Sequence, residues 1–370
     1  MSLFFREKRE ANLPVLLESV GRRGRSNSGA VVTDTTAMTL PVVYACVSLV
    51  SSVISSLPVD AVRRQGGVRV PVEPSPAFLR EPASGMSWSQ WMGQMVTSYE
   101  MRGSAQGLVV GTTGMGRIAT QVEPLHPDQV SWRVVDDRWV PFVDGKREDV
   151  WPRGRLWWVP DMTFPGSPIP ISRIGAARNA IGHGLAAQDY GASFYENGGH
   201  PSAILSVAND PGPDKARTIK DSFNAARRSG EPSVLPSSIT YTPIQVTPED
   251  AEFLDAQRFS VEQIARFFRV PPEMVGAAAS GQAVTYANVE QRGIDFLTYS
   301  IGPRLVRFEE ALSSLLASPQ VVKFNTAALL RTDLASRYAA HAVGITNGFL
   351  TVDEVRELED RPPITPTEEV

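Results

Sequence analysis

Two helix-forming segments joined by a loop of small residues occupy residues 247–316 and constrain the fold more than any other stretch. The first segment has Thr247 in a position to cap it and ends at Pro271 and Pro272, which a helix does not continue through. In the second segment, apolar residues recur every three or four positions, which predicts one buried helical face: Ile294, Leu297, Ile301, Leu305, Phe308, Leu312 and Leu315.

A glycine–proline step lies inside the second segment. Pro303 lacks a backbone N–H and its ring crowds the preceding turn. Because the apolar periodicity continues on both sides, we predict a kink at Gly302 and Pro303 rather than a helix end. An ordinary pair of core helices also explains this apolar face, so the pattern alone does not identify a function.

The residue content and motifs of the chain argue against nucleotide binding, a metal site and sequence-specific DNA binding. A net charge of -4 over 370 residues gives no general reason for tight nucleic-acid binding, which usually needs a strongly basic face. Cys46 is the only cysteine, so an intrachain disulfide and a cysteine-rich zinc site are excluded. The chain has no G-x-x-x-x-G-K-[ST] phosphate loop, and its four histidines are scattered without an H-E-x-x-H motif. We therefore predict no catalytic residue, no metal site and no cofactor.

The first part of the chain has the pattern of an arm followed by a mixed α/β region. Residues 1–37 combine charged residues with glycine and serine, which is typical of a mobile arm. Residues 40–57 are apolar, but their serines group on one side, so we predict a packed amphipathic helix and no membrane association. A second helix is predicted over 87–101. Strand patterns follow near residues 108–110, 130–135 and 155–159, and residues 111–116 are predicted to form a hairpin turn.

The middle of the chain predicts one long helix over 172–197 that contains four glycines: Gly175, Gly182, Gly184 and Gly191. Each glycine costs helix stability, up to about 1 kcal/mol relative to alanine. Either the helix is broken near Gly182–Gly184, or small residues allow a close approach of neighbouring helices. A strand, a helix near residues 214–228 and another strand then form a small αβ excursion.

Several of these stretches, in the same order, resemble the portal proteins of tailed double-stranded DNA phages. The string RFSVEQIARFFRVPPEMVG is followed by a small-residue loop and then by Asn288, Glu290 and Gln291. Residues 179–182, 194–198 with Pro201, 329–333 and 348–356 also match that family's pattern, and the similarity extends over roughly residues 38–363. No single string is decisive, but their order is specific.

The resemblance implies an α+β subunit with a mixed α/β wing, a long-helix stem, a small αβ clip, a kinked long helix and a helical crown. The implied boundaries are a flexible arm at 1–37, the wing at 38–170, stem helices at 171–198 and 247–270, the clip at 199–246, a tunnel loop at 271–284, the long helix at 285–317 and the crown at 318–370. On this reading, the glycines of the first stem helix allow neighbouring helices to approach around a ring.

The implied function is a ring, usually of twelve subunits, at one vertex of the virion, through which double-stranded DNA is packaged and ejected without sequence specificity. Expected partners are the terminase large subunit, the major capsid protein and the head-tail connector or adaptor, with assembly in the host cytoplasm. The tunnel loop would comprise Gly276, Ala277, Ala278, Ala279, Ser280, Gly281 and Gln282, and the clip would offer Arg227 and Arg228 for docking. The loop has no lysine or arginine, so a strong grip on phosphates through it is not expected.

Two other classes remain open on the residues alone. A monomeric DNA-binding or head-tail adaptor protein would need a basic face and would be separated from a ring by its mass in solution. A metal-dependent nuclease or hydrolase would need a cluster of carboxylates or histidines.

Overall fold

The structure of the chain, a computed structural model, describes residues 24–114, 118–196, 203–208, 211–229, 238–243, 260–276, 286–326, 334–359 and 361–364. Helices and short antiparallel strands alternate along these stretches, so the fold class is mixed α and β, as predicted. No helix in them combines the length and the hydropathy that a bilayer crossing needs.

The prediction of a mobile arm over residues 1–37 is wrong from residue 24 onward, where three short elements form: β1 (Gly24–Arg25), β2 (Val31–Val32) and α1 (Asp34–Met38). The two strands pair in an antiparallel hairpin, and the Thr33 hydroxyl caps the helix. Val32 and Ala37 are buried in the main core, and this burial decides the structure despite the glycine and serine content. Residues 1–23 lie outside the described residues.

The predicted amphipathic helix over 40–57 packs against the next long helix of the chain. The helices of this region are α2 (Pro41–Ser55), α3 (Ala77–Arg80) and α4 (Trp88–Arg102). On the serine side of α2, the Ser51 hydroxyl donates to the carbonyl of Gly93 (3.0 Å) and accepts from the hydroxyl of Thr97 (3.3 Å). On its other side, Val43 and Val50 are buried. Helix α2 is therefore a packed core helix, as predicted.

The strands that follow form antiparallel sheets beside these helices: β3 (Val59–Gln65), β4 (Val68–Pro71), β5 (Ser104–Thr113), β6 (Ile118–Pro124), β7 (Val130–Val135), β8 (Arg138–Val143), β9 (Lys146–Arg147) and β10 (Leu156–Pro160). Strand β5 lies between β10 and β6, and β7, β8 and β9 form a meander. The predicted strands and the hairpin near residues 111–116 are confirmed, since β5 turns back into β6 after Gly114.

The helix predicted over 172–197 is two helices, α5 (Arg173–Ala176) and α6 (Arg178–Glu196). Ser172 caps α5, and the buried Ala177 ends it with φ -85° and ψ 6°, a turn conformation from which α6 restarts. Helix α6 runs through Gly182–Gly184 without a break.

Two of its glycines are explained by close contacts within the subunit. A Cβ on Gly182 would lie 2.1 Å from the Ser26 hydroxyl oxygen, and one on Gly184 would lie 3.2 Å from Leu40. At Gly191, no atom of the described residues lies within 4 Å of such a Cβ. Both contacts lie within the subunit, against the N-terminal hairpin and the start of α2, so the close approach of neighbouring helices around a ring stays a prediction.

The predicted αβ excursion is confirmed in its described parts, β11 (Ala203–Val207), α7 (Gly212–Ser229) and β12 (Ile239–Pro243). The two strands pair antiparallel, with Ala203 opposite Pro243. After this excursion, residues 260–268 form α8, which is followed by a 3-10 turn at Pro272–Val275.

The second helical segment is α9 (Tyr286–Asp295), a π-helical turn at Phe296–Ile301 and α10 (Gly302–Ser313). Pro303 lies in the first turn of α10, where its missing N–H is tolerated. The wider π turn shifts the phase of the buried face, because it takes more residues per turn than an α-helix. Ile294 is therefore exposed while Phe296 is buried. The later residues of the predicted face are buried as predicted: Ile301, Leu305, Phe308, Leu312 and Leu315.

The chain then returns to the N-terminal region through β13 (Val321–Phe324), which pairs with β3 in the register Val321–Val62 to Phe324–Val59. The predicted boundary at residue 318 is therefore wrong for this strand, because its backbone hydrogen bonds and the buried Val322 place it in the sheet of β3 and β4. The last described helices are α11 (Leu334–Thr346) and α12 (Val352–Leu358). The capping box predicted for α12 at Thr351 and Glu354 is confirmed.

Candidate functional site

A buried carboxylate, Glu100, joins the α4 helix to the long helix. It lies in the last turn of α4, and its side chain has no exposed area. Arg304 of α10 donates to both of its oxygens, at 2.7 Å from Nε and 2.9 Å from Nη2. Arg173 of α5 approaches the same carboxylate at 2.7 Å. One carboxylate is thus shared by two guanidinium groups from two other helices, a geometry that favours planar bidentate bonds.

A second carboxylate, that of Asp161, lies just after strand β10 and interacts with one of the same arginines. It accepts hydrogen bonds from Arg173 and Arg307 and from the Tyr99 hydroxyl, the last at 2.9 Å. The side chains alternate in charge as Arg304, Glu100, Arg173, Asp161 and Arg307, with Tyr99 beside them, and these six residues are called the junction network below. Three guanidinium groups and two carboxylates leave it with a formal charge of +1.

Burial and pairing together set the protonation of the junction network. Burial alone lowers the pKa of Arg304, but its hydrogen bonds to Glu100 and the charge of that carboxylate reverse this, so its pKa stands above the ordinary value. For Arg173 the desolvation dominates and the pKa is lowered from its ordinary value, although Glu100 opposes this. Burial also raises the pKa of Tyr99, against the influence of Arg307. Tyr99 therefore stays a neutral hydrogen-bond donor at physiological pH, as its bond to Asp161 requires.

The junction network also binds the backbone a few residues before the small-residue loop. Arg304 donates to the carbonyl of Phe268 at 2.7 Å, and the Ser300 hydroxyl donates to the carbonyl of Arg269. These carbonyls lie at the end of α8, and Ser300 lies in the π-helical turn. Arg304 therefore connects α4, the end of α8 and the long helix through one side chain.

Two tryptophans hydrogen-bond to the end of the long helix. The indole N–H of Trp157 in β10 donates to the Ala311 carbonyl at 2.9 Å, and that of Trp151 donates to the Ser314 carbonyl at 2.7 Å. Both carbonyls belong to the last turns of the long helix, where the backbone runs out of helical partners. The C-terminal end of the long helix is thereby held to strand β10 and to Trp151.

The predicted site residues lie in different places. Gly276 ends the 3-10 turn with φ +85°, a left-handed conformation that suits glycine, whereas Ala277, Ala278, Ala279, Ser280, Gly281 and Gln282 lie outside the described residues. Gly302 and Pro303 directly precede Arg304 of the junction network. Arg227 and Arg228 lie near the end of α7, of which the structure describes the backbone at these positions.

The sequence reasoning missed the junction network, although two of its members had a readable signal. Arg304 lies between Ile301 and Leu305 on the apolar stripe of the long helix, and Glu100 follows Val96 by one turn on the buried face of α4. A charged residue on an apolar helical face indicates a buried pair, because an unpaired charge there would be very costly.

The chemistry of this arrangement is that of permanent ion pairs. All the acidic and guanidinium groups of the junction network are engaged with one another, and in the described part of the chain no group of three or more potential ligands is placed to hold a metal ion. The geometry therefore joins α4, α5 and the long helix through a buried polar network.

Comparison with known proteins identifies the family. The phage portal protein family matches residues 41–360. The probable portal protein of Streptomyces phage phiC31 is 29% identical over 367 residues, which cover 91% of this chain and 78% of that protein. The portal protein of Enterobacteria phage HK97 is 26% identical over 350 residues, with coverage of 90% and 81%.

Solved structures share the fold. An HK97 family phage portal protein from Corynebacterium diphtheriae superposes with a TM-score of 0.62 at 19% identity, over 82% of this chain and 99% of that one. A chain from the neck of a native gene transfer agent particle, computed with C12 symmetry, gives a TM-score of 0.56 at 18% identity, over 94% and 98% of the two chains. The chain belongs to the phage portal protein family, since the family match extends over most of its length.

Proposed function

We propose that twelve copies of this chain form a closed ring at one vertex of a phage capsid and that double-stranded DNA passes through the central channel. The observation that carries this proposal is the family match over residues 41–360. A structural likeness to a neck chain of a C12-symmetric particle supports it, because the likeness extends over 94% of this chain. Rings of this kind need one face of each subunit to meet a different face of the next.

In this ring, we assign the stem to α5, α6 and α8, the clip to β11, α7 and β12, and the wing to the sheets around α2 and α4 together with β13. The crown would comprise α11 and α12. The clip is an excursion between two stem helices, and such an excursion exposes its surface on several sides, which suits docking. Arg227 and Arg228 would contribute there to contacts with the terminase large subunit and later with the head-tail connector.

The channel would not itself drive DNA movement, and a partner protein would supply the energy for it. The chain has no phosphate loop for nucleotide hydrolysis, so we assign it no enzymatic activity and no cofactor. Residues 276–282 contain no lysine or arginine, and every such contact with DNA phosphates would add salt-dependent affinity and resist sliding. The loop would act as a valve or spacer, and the terminase would supply the work.

The loop assignment is tested by replacing residues 276–281 with a shortened or rigid segment. Rings should still form, because the contacts of the junction network lie outside the replaced residues, but packaging or retention of DNA should fall. Normal packaging and retention by this variant would contradict the role of the loop.

The ring itself is tested by mass measurement and negative-stain microscopy of the purified chain. Twelve copies of a 40.3 kDa chain give particles of about 480 kDa with a central hole. Particles of the monomer mass only, at concentrations where related rings assemble, would instead favour a monomeric adaptor. The major capsid protein should bind the ring and not the monomer, which a co-assembly assay with capsid protein would show.

A further inference from the structure

An apolar groove of about 470 Å³ lies between the start of α2, helix α6 and residues 260–264 of α8. Its lining includes the side chains of Leu40, Val42 and Ile264, which belong to the core. Gly184 lies at its base, where a Cβ would come within 3.2 Å of Leu40, and Tyr190, 55% exposed, lies at its edge. Three helices thus border an open apolar surface of the kind that receives a fourth helix.

The N-terminal part of the chain approaches the structure beside this groove. At Gly24, a Cβ would lie 3.0 Å from the guanidinium of Arg178 in α6. The backbone N–H of Asn27 donates to the side-chain oxygen of Asn179 in the same helix at 3.2 Å. The groove-lining part of α6 starts at His183 and ends at Tyr190, about 12 Å along the axis from Gly182 at 1.5 Å per residue. Gly24, the residue to which this N-terminal part is attached, therefore lies close to the groove.

The sequence before Gly24 has the pattern of a short amphipathic helix. Leu13, Leu16, Leu17 and Val20 follow the spacing i, i+3, i+4 and i+7, which places them on one helical face. Asn12 is a favourable N-cap residue, Pro14 is tolerated in a first turn, and Gly21 is a favourable terminating residue. Val15 and Glu18 lie on the other side of this pattern.

We propose that residues 13–20 form a helix that binds in the groove of its own subunit, with Leu13, Leu16, Leu17 and Val20 facing the groove. Only residues 21–23 separate this helix from Gly24, so a link of about 10 Å holds it beside α6. A link this short gives an effective concentration in the millimolar range, which favours the subunit's own segment over a neighbour's. The bound helix clamps α6 against α8 and does not depend on ring formation.

The proposal is tested by disulfide trapping in the full-length chain. Ala187 lines the groove, and we pair Ala187→Cys with either Leu16→Cys or Leu17→Cys. The native Cys46 does not interfere, because burial raises its pKa to about 12 and keeps it a thiol. At least one pair should form a disulfide within one chain under mild oxidation. The matched control, Ala187→Cys with Val15→Cys, should stay reduced because residue 15 faces away.

A second measurement does not depend on disulfide geometry. Hydrogen exchange of the backbone amides of residues 13–20 should be slow in the unmodified chain and fast in Leu17→Asp, while Val15→Asp should retain the protection. Fast exchange in the unmodified chain, equal effects of the two substitutions, or the absence of any disulfide would overturn the proposal. A disulfide that links two chains would assign the groove to a neighbouring subunit and would also overturn it.

Discussion

Replacing Glu100 with glutamine tests whether the junction network holds the fold together. The side chain keeps its size and one carbonyl oxygen, but the carboxylate shared by Arg304 and Arg173 loses its charge. Three guanidinium groups then face one carboxylate, and the formal charge of the buried cluster rises from +1 to +2. Breaking a buried pair on one side costs about 3–5 kcal/mol, because the remaining charge is left uncompensated.

A cost of about 3–5 kcal/mol is large compared with the free energy of unfolding of a typical domain, which is about 5–15 kcal/mol. We therefore expect Glu100→Gln to lower the free energy of unfolding by about 3–5 kcal/mol, measured by urea denaturation with tryptophan fluorescence. The buried Trp91 and Trp157 lie in the same core and should report the transition. Glu262→Gln is the matched control, since Glu262 pairs with Arg266 at 3.4 Å on the surface, and it should cost no more than about 1 kcal/mol.

Equal losses of stability in the two variants would refute the view that burial makes the Glu100 pairs essential. A double-mutant cycle adds an independent check. Glu100→Gln combined with Arg304→Gln should be less destabilising than the sum of the single changes, with a coupling of about 0.5–3 kcal/mol. Strict additivity would mean that the short distances between these groups carry no specific coupling.

Two further predictions concern single positions. Gly182→Ala should lower the free energy of unfolding by about 1–3 kcal/mol, because the new Cβ would lie 2.1 Å from the Ser26 hydroxyl oxygen. Gly191→Ala should instead raise it by about 0.5–1 kcal/mol in the isolated chain. Urea denaturation should show these opposite signs, and equal signs would contradict the contact at Gly182. The Thr351 backbone and hydroxyl hold the pKa of Glu354 below 4.5, so the capping box stabilises the fold above this pH and loses its effect as the pH falls through the depressed value. Thr351→Ala should therefore be less stable than the unmodified chain at pH 6, and the difference should shrink at pH 3.

Most helices were predictable because their signals are local. The apolar periodicity of the long helix, the serine side of α2 and the Thr351–Glu354 capping box all lie within a few residues of one another in sequence. The shift in phase of the buried face at Phe296–Ile301 was not predictable in this way. The apolar spacing around this π turn is also compatible with a regular α-helix.

The junction network was beyond local reasoning for a different reason. Glu100 and Arg304 are 204 positions apart, and only the packing of α4 against the long helix brings them together. The return of β13 to β3 was equally hidden, because Val321 and Val62 pair through backbone groups that every residue carries. Sequence can show that a buried charge requires a partner, but without the fold it does not show which one.

The structure fixes both ends of the loop that we propose as part of the channel. Before it, the carbonyl of Phe268 accepts from Arg304, which the buried Glu100 holds in place. After it, Arg292 of α9 approaches Glu273 of the 3-10 turn at 3.6 Å, so the two flanks are also joined to each other. A rearrangement within residues 277–285 is therefore confined between two fixed ends and need not displace the helices that we assign to the ring wall. The frame on either side of residues 277–285 is thus held by contacts that do not involve those residues.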